Sequence, residues 1–476
     1  MIQIVSRKRF EMHRLVWVIG FVLLLAWERP VHAQESPVQL TIIVPREWKS
    51  ELEEYVVRRG DDIRGIVVAW EDLNESQSGA DEPERIKRFL YEQWGQGQVD
   101  HVLLVGDASQ CPVRYMVLDR VTPAAFDYAF YASDLYYADL AKQDRSFEDW
   151  NGTKDDFHGQ YYGEVRGEKN KHDPINFDQI DYLPEIGVGR WPVSNRDQLQ
   201  IILEKSLEHQ GRQEVTEPGA VETPNAALIA VGGWIDSRPH LDRIGQSLTG
   251  WRIEKRYFSD TQRDDGTQPP NAAEVAALFG LRQAVLFHAG HGHPDHWHDC
   301  ISLRRLMRVE TRGQWPIVLS AGCSTSVFAP QAPYEAYMDI HGVHHAGTNS
   351  GESFDRPPPA IAPLQPSELT YRSLGTELVV GTPHGAIAYF GCATGSQPCA
   401  MTLLEGFASA LNSNPHHSQE IRLGDAYRQM IAHYVEAEGL EKLEPTGSWY
   451  PPSIFFQGMK FILFGDPTIR IGLPQP

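Results

Sequence analysis

Two reactive side chains stand just after consecutive strand-like segments. The apolar run 284–288 leads into His291, which lies between two glycines, and the run 316–320 leads into Cys323. A thiolate can attack a carbonyl carbon while an imidazole carries the proton. Backbone N–H groups after the histidine and at the cysteine can hold a developing oxyanion. The pattern therefore predicts acyl transfer by a cysteine–histidine pair.

The same histidine also begins a pattern of metal ligands. His291, His293, Asp295 and His296 fit H-x-H-x-D-H, which resembles the motif of the metallo-β-lactamase-like zinc hydrolases. Imidazoles and a carboxylate at this spacing can bind zinc, which lowers the pKa of a bound water. Trp297 follows where that family usually has a small residue, and the motif lies in the second half of the chain instead of early. A zinc hydrolase is kept as the alternative function.

The other histidines of this region have a simpler interpretation if the thiol is the nucleophile. They are then expected to be rim residues of a cleft: His288, His293, His296 and His298. A non-catalytic secreted scaffold with the same fold is a further alternative, because a fold does not determine an activity.

Alternating strand and helix patterns must position these groups. The predicted strands are 38–44, 65–70, 101–105, 183–190, 226–231, 284–288, 316–320, 385–390 and 460–464, and the predicted helices are 47–59, 82–94, 197–210, 271–279, 301–309 and 423–434. Such alternation is typical of mainly parallel sheets flanked by helices. Sites in these sheets gather where strands end. Because 32 positions separate His291 from Cys323, enough for one crossover helix, we expect both side chains at one edge of a sheet.

Composition and termini set the class of protein. The chain has 476 residues, of which 41% are hydrophobic and 22% charged, as in ordinary globular proteins. A net charge of −20 argues against nucleic-acid binding, which needs clustered cations. Residues 1–33 are predicted to be a signal peptide, because a basic stretch precedes a short apolar run and a small-residue cleavage site. The mature protein is then secreted or periplasmic, with no membrane contact after cleavage.

A segment rich in Glu, Pro, Gly and Thr, 211–224, gives the best internal boundary. It divides the remainder into an N-terminal α/β subdomain, 34–215, and a C-terminal α/β subdomain, 216–476, which carries the cysteine–histidine pair.

Cysteines and oxygen-bearing side chains allow two further hypotheses. The odd number of five cysteines suggests a free thiol in an oxidising compartment, and Cys392 and Cys399 are near enough in sequence to form a disulfide. Residues 149–155 carry oxygen side chains at alternate positions, as at the start of a calcium loop, although Gln160 stands at the twelfth position instead of Glu. No cofactor is expected to be required, and calcium as a structural ion stays open.

Seven short segments, in this order along the chain, resemble the gingipain-type cysteine peptidases, which are peptidase family C25 of the caspase-like clan. The segments are LLVGD (103–107), YASDLYYA (131–138), LPEIGVGR (183–190), GHG (290–292), SAGC (320–323), GAIA (385–388) and FGDPT (464–468). Together they extend the resemblance over about residues 38 to 471.

The resemblance implies a caspase-like α/β fold with two adjacent α/β subdomains, and an endopeptidase that cleaves protein or peptide substrates through an acyl-enzyme. Cys323 would be the nucleophile and His291 the proton carrier, with the N–H groups of Gly292 and Cys323 as the oxyanion hole. Glu185, in the segment LPEIGVGR, is the closest match to the family's acid that orients the histidine. The family's preference for basic residues before the scissile bond is not carried over to this chain.

Overall fold

The computed structural model describes residues 37–117, 130–150, 161–162, 179–214, 223–260, 267–281, 283–311, 315–329, 337–339, 341–346, 372–412, 421–444 and 450–471. The predicted signal peptide and nearly all of the predicted calcium loop lie outside these residues. Among the helices of the described residues, none combines the length and the apolar character needed to cross a membrane.

The described residues form strands and helices that alternate for most of the chain. The strands are β1 (Val38–Val44), β2 (Ile63–Ala69), β3 (His101–Val105), β4 (Tyr115–Val117), β5 (Phe130–Ala132), β6 (Tyr161–Tyr162), β7 (Gly187–Trp191), β8 (Asn225–Ala230), β9 (Arg252–Tyr257), β10 (Ser259–Asp260), β11 (Thr267–Gln268), β12 (Val285–Ala289), β13 (Gly292–His293), β14 (His296–Trp297), β15 (Ile301–Ser302), β16 (Ile317–Ser320), β17 (Tyr337–Met338), β18 (His344–His345), β19 (Ala388–Cys392), β20 (Ile421–Arg422), β21 (Phe461–Phe464) and β22 (Arg470–Ile471). The helices are α1 (Lys49–Arg59), α2 (Trp70–Ser76), α3 (Glu82–Gly95), α4 (Arg196–Glu214), α5 (Arg238–Ser247), α6 (Ala272–Gly280), α7 (Leu303–Leu306), α8 (Leu374–Val379), α9 (Ala400–Asn412), α10 (Leu423–Ala437) and α11 (Tyr450–Gln457).

Ten of these strands form one large sheet, in the order β2-β1-β3-β7-β21-β19-β16-β12-β8-β9. The first five strands of this order are parallel to one another, and so are the last five. The antiparallel pairing of β19 with β21 joins the two blocks. As a result, β12, β16 and β19 end at the same edge of the sheet at which β7 and β21 begin. We call this edge the shared edge.

Burial on both faces explains why the sheet strands read as continuous apolar runs. β3, β7, β12, β16, β19 and β21 are buried at every residue, which is expected when helices cover both faces of a parallel sheet. The mainly parallel α/β fold predicted from the sequence is thus confirmed. The predicted boundary near residue 215 falls at residues that are not described, and strands from both sides of it pair within one sheet.

Some elements were missed because their patterns are weak. β9 lies at the outer border of the sheet and has no buried residue, so its sequence RIEKRY reads as polar. α9 has nine buried residues of 13, and its polar residues form only a narrow helical stripe, Thr402, Glu405, Ser409 and Asn412. The predicted helix 301–309 is reduced to the single turn α7, with the rest of the segment in strand β15 and turns.

Buried ion pairs hold the first block of strands together. Arg190 on β7 donates from Nε and Nη2 to the two carboxylate oxygens of Asp134, each at 2.7 Å, and from Nη1 to the Gly106 carbonyl. Asp466, just after β21, accepts from Arg59 and Tyr55 of α1, both at 2.6 Å. Such bidentate and charge-assisted hydrogen bonds are strong and directional. Four of the seven family segments therefore supply structural contacts.

Candidate active site

The strand register brings His291 and Cys323 to the shared edge at equal depth. β12 and β16 are parallel, with His288 paired to Ser320. His291 and Cys323 each stand three positions beyond that pair. Their surrounding backbones are in contact, since a Cβ on Gly322 would lie 2.9 Å from the Cα of Gly292. The predicted convergence of these two segments at one edge is what the structure shows.

The glycines allow the two segments to approach each other. A Cβ added to Gly292 would meet the Cys323 carbonyl oxygen and the Cγ2 of Thr325, both at 2.7 Å. Contacts this short do not occur for real Cβ atoms, so any larger residue at Gly292 would push the segments apart. The glycines are therefore needed for contact between the histidine and cysteine segments.

The Cys323 thiol is partly buried and accepts a backbone hydrogen bond. The N–H of Ser396, in the loop after β19, donates to its Sγ at 3.2 Å. Burial raises the pKa of the Cys323 thiol above its usual value, whereas the Ser396 N–H and the Lys460 ammonium act in the opposite direction. A thiol with this balance rests mainly in its neutral form, and such a thiol becomes a nucleophile only when a base removes its proton.

The residue after the cysteine has an uncommon backbone conformation. Ser324 has a φ of 53°, in the left-handed region that few non-glycine residues adopt. Outliers of this kind cluster at active sites, where the surrounding structure maintains them. Here the Ser324 N–H donates to the Thr394 carbonyl at 2.7 Å, which ties the turn to the loop after β19. That loop also supplies the Ser396 N–H to the thiol, so one loop fixes both the turn and the sulfur.

The His291 ring is oriented by a backbone carbonyl. Its Nε2 lies 3.0 Å from the carbonyl oxygen of Gly233, in the loop after β8, and the Trp234 ring lies beside it with centroids 6.4 Å apart. A carbonyl oxygen can only accept a hydrogen bond, so Nε2 carries the proton and Nδ1 is the basic nitrogen of the neutral ring. Among the described residues, no hydrogen bond joins this ring to the Cys323 thiol. Catalytic hydrogen bonds are often long or absent until substrate binds.

In the hairpin that follows His291, the N–H group of Gly292 points away from the partner strand. The His298 N–H donates to the His291 carbonyl at 3.0 Å, and the next pair of this antiparallel ladder is Gly292 with Trp297. Hydrogen-bonded and non-hydrogen-bonded pairs alternate in such ladders, so Gly292 belongs to a non-bonded pair. Its N–H therefore faces away from the partner strand and can serve another acceptor.

His288 is not a rim residue, and that expectation was wrong. Its side chain is fully buried on β12, its Nδ1 lies 2.9 Å from Ser320 Oγ, and its ring stacks on Trp297 with centroids 4.0 Å apart. Burial lowers the pKa of His288 to about 3, so the ring is neutral. It supports the strands below the site, whereas His293, His296 and His298 are at least partly exposed on the hairpin.

Glu185 stands just before β7, at the shared edge but four strands from β12 in the sheet order. At about 4.8 Å per strand, the two strands lie roughly 19 Å apart. The Glu185 carboxylate accepts from the N–H groups of Leu140 and Ala141, at 2.6 and 3.1 Å. The structure therefore brings His291, Gly292 and Cys323 together and does not bring Glu185 to them.

Two contacts of the site were missed by the sequence analysis, namely the Gly233 carbonyl and the Ser396 N–H. Both are backbone groups, so residue type carries no direct signal for them. Their positions carry a weak signal, because each lies shortly after a strand of the second block, β8 or β19, as His291 and Cys323 do after theirs.

All five cysteines are free in the structure. Cys111, Cys300, Cys392 and Cys399 are buried, and Cys323 is the one that is partly exposed. Burial raises the pKa of Cys300 and Cys392 to about 12, which makes those thiols poor nucleophiles. Cys392 and Cys399 do not form the disulfide that their spacing would allow.

Comparisons with known proteins agree with this arrangement. The model of peptidase family C25 matches residues 33–472, and no curated protein sequence matches the chain. Similar solved structures include the Arg-specific cysteine proteinase gingipain R (RgpB), at 15% identity and a TM-score of 0.57, covering 94% of this chain and 81% of that chain.

Two further structures are similar over nearly the whole chain. The complex of the pro- and mature domains of RgpB from Porphyromonas gingivalis has 14% identity and a TM-score of 0.56, covering 92% of this chain and 81% of that one. A structure described only as a protease has 12% identity and a TM-score of 0.58, covering 93% and 80%. At these identities the likeness establishes the fold, which is caspase-like.

Proposed function

The chain belongs to peptidase family C25, the gingipain-type cysteine peptidases, and we propose that Cys323 and His291 carry out its hydrolysis of peptide bonds. As a peptidase it acts on protein or peptide substrates. The observation that carries the assignment is the placement of both segments at the shared edge, in contact through Gly292 and Gly322.

The first chemical step follows from the protonation states. The neutral Cys323 thiol gives its proton to Nδ1 of His291 while Sγ attacks the scissile carbonyl carbon. The Gly233 carbonyl holds Nε2–H and so keeps Nδ1 available as the base. The N–H groups of Gly292 and Cys323 hydrogen-bond the carbonyl oxygen as it becomes an oxyanion.

The second half of the reaction reverses the proton flow. The His291 imidazolium donates its proton to the amine as the C–N bond breaks, which leaves a thioester on Cys323 and releases one peptide. The neutral imidazole then takes a proton from water as the water oxygen attacks the thioester carbon. The C–S bond breaks, the carboxylic product leaves, and the imidazolium returns its proton to the Cys323 thiolate. This cycle needs no cofactor, and none of its steps passes through a metal.

The glutamate that the family resemblance suggested is given a different role. We propose that Glu185 is structural, since its carboxylate satisfies the N–H groups of Leu140 and Ala141. Orientation of His291 falls to the Gly233 carbonyl instead.

The predicted signal peptide supports action outside the cytoplasm. A basic stretch, a short apolar run and a small-residue cleavage site precede the family match. We propose a secreted or periplasmic peptidase. N-terminal sequencing of the exported protein is expected to begin near Gln34, and retention of residues 1–33 would contradict the proposal.

Replacement of the thiol tests the catalytic assignment. Cys323→Ala is expected to lower peptide hydrolysis by at least about a thousandfold, because members of a catalytic pair act as a unit. Circular dichroism is expected to show the folded state unchanged, since the side chain is small and partly exposed. Cys111→Ala is the matched control, because that thiol is free and buried in the segment after β3. Full activity of Cys323→Ala, or equal loss in both variants, would contradict the assignment.

A further inference from the structure

Three histidines form a compact cluster beside the proposed active site. β13 and β14 make a two-residue hairpin in which His293 pairs with His296, and His298 follows on the same segment. One ring nitrogen from each of the three lies within 4.8 Å of the other two. The rings of His293 and His296 stack with centroids 4.3 Å apart. This set leaves out His291 and Asp295, so it differs from the H-x-H-x-D-H pattern in the sequence.

The hairpin is anchored at its turn, which holds the cluster in shape. The two residues of the turn each accept a backbone hydrogen bond from another element, Pro294 from the Leu374 N–H at 2.6 Å and Asp295 from the Leu303 N–H at 2.8 Å. A ligand set on a fixed turn loses little conformational freedom on binding.

Acidic neighbours select which ring nitrogens are available. The Asp295 carboxylate lies 2.7 Å from Nδ1 of His296, so Nδ1 carries the proton and Nε2 is left with its lone pair. The Asp299 carboxylate lies 3.5 Å from Nε2 of His298, which favours Nδ1 of that ring as the free nitrogen. Carboxylates in this position are the usual outer partners of metal-binding histidines.

The three side chains offer imidazole nitrogens as ligand atoms, which points to one class of metal ion. Neutral imidazoles close together, without a charged thiolate or several oxygens, suit zinc and neighbouring transition metals better than calcium or magnesium.

We propose that His293, His296 and His298 bind one Zn²⁺ ion, and that the bound ion inhibits peptide hydrolysis. Three protein nitrogens leave the fourth tetrahedral position for water or another ligand. The His298 ring lies 6.2 Å from the His291 ring, centroid to centroid. An ion at the cluster therefore lies near the proton carrier and adds positive charge where an imidazolium must form. The inhibition rests on the proposed function, whereas the binding does not.

Zinc titration tests the binding. Calorimetry is carried out on the full chain in the Cys323→Ala background, which removes the thiol as a competing ligand. One ion per chain is expected, with at least a tenfold weaker affinity when His293→Ala and His298→Ala are combined. His341→Ala is the control, because that side chain is exposed and belongs to the turn between β17 and β18. Equal affinities in all three proteins, or equal weakening in the control, would overturn the site.

Inhibition is tested separately on the chain with Cys323 intact. For each variant, peptide hydrolysis with zinc is divided by hydrolysis with a chelator. This ratio is expected to fall well below one in the parent and in His341→Ala. It is expected to stay near one in the His293→Ala/His298→Ala variant. The same fall in all three would place the inhibitory ion elsewhere, on Cys323 or His291, and would overturn the proposal. If Cys323→Ala hydrolyses peptides normally, the proposed function fails while the titration result stands.

Discussion

The two blocks of the large sheet use their polar residues in opposite ways. In the first block, charges are buried and paired, as for Arg190 with Asp134 and Arg59 with Asp466. In the second block, the segments after the strands carry small residues around one thiol and one imidazole, and their contacts come from backbone groups such as the Gly233 carbonyl and the Ser396 N–H. The first arrangement fixes the position of strands, and the second leaves reactive atoms accessible.

A cluster of acidic residues around a buried lysine shows that shifted pKa values also occur away from the candidate site. Asp139, Glu148 and Asp181 lie together beside the fully buried Lys87, whose ammonium contacts the Tyr136 ring at 4.5 Å from its centroid. Burial lowers the pKa of Lys87 and raises that of Asp139. Strongly shifted groups are often taken as a sign of catalysis. Here the shifted groups lie on the side of the first block, away from His291 and Cys323, so a shifted pKa by itself does not locate the site.

Among changes that leave the thiol and the imidazole in place, disruption of the contact between the second-block segments should have the largest effect on activity. Gly292→Ala places a Cβ 2.7 Å from the Cys323 carbonyl oxygen, which displaces a proposed oxyanion donor. Loss of one such donor costs on the order of 10²-fold in kcat. Steady-state hydrolysis of a peptide substrate measures this loss.

The matched control for that variant is a glycine with free space around it. Gly211 lies in α4 and has no atom within 4 Å of an added Cβ. Gly211→Ala should leave kcat unchanged and stabilise the helix by up to about 1 kcal/mol. A kcat for Gly292→Ala equal to that of Gly211→Ala would contradict the claim that contact between the second-block segments is needed for activity.

Removal of the Glu185 charge should affect stability more than activity. The amide oxygen of Glu185→Gln can still accept from Leu140 and Ala141, but without the charge the hydrogen bonds weaken, by about 1 kcal/mol of unfolding free energy. The kcat per folded molecule should stay within about threefold of the parent. Denaturant unfolding and active-site titration separate the two effects. A loss of kcat comparable to that of a His291→Ala variant would instead make Glu185 the partner of the histidine.

The pH dependence of thiol alkylation should show the smallest effect. Because burial raises the pKa of Cys323, the thiolate fraction, and with it the iodoacetamide rate, should keep increasing with pH above the usual thiol range. Lys460 lowers this pKa, so Lys460→Met should move the alkylation profile to higher pH. Mass spectrometry of the Cys323 peptide gives the rate at each pH. A shift of the profile to lower pH would show that the sign assigned to Lys460 is incorrect.

The sequence predicted the large parallel elements and the convergence of two of them. Strands such as β12 and β16 are short, apolar and buried on both faces, so their ends, and hence His291 and Cys323, could be located from residue type alone. β9 could not, since a border strand needs no apolar side chains. The order of strands could not be predicted either. It depends on β21, which lies near the end of the described residues and inserts between β7 and β19.

Glu185 shows what a motif leaves open. The segment LPEIGVGR matches the family in order, but Glu185 lies just before β7 of the first block, four strands from β12. The Gly233 carbonyl, which does contact His291, is invisible to any pattern of residue types. A segment can therefore identify the fold without showing which group contacts the histidine.

The central claim is that Cys323, assisted by His291, forms the covalent acyl bond. The most direct measurement is to treat the protein with a peptidyl chloromethyl ketone and locate the adduct by mass spectrometry. We expect one adduct per chain on Cys323, a matching loss of hydrolysis, and almost no labelling in His291→Ala. Full hydrolysis by a chain alkylated at Cys323, or loss of activity with a chelator alone, would contradict it.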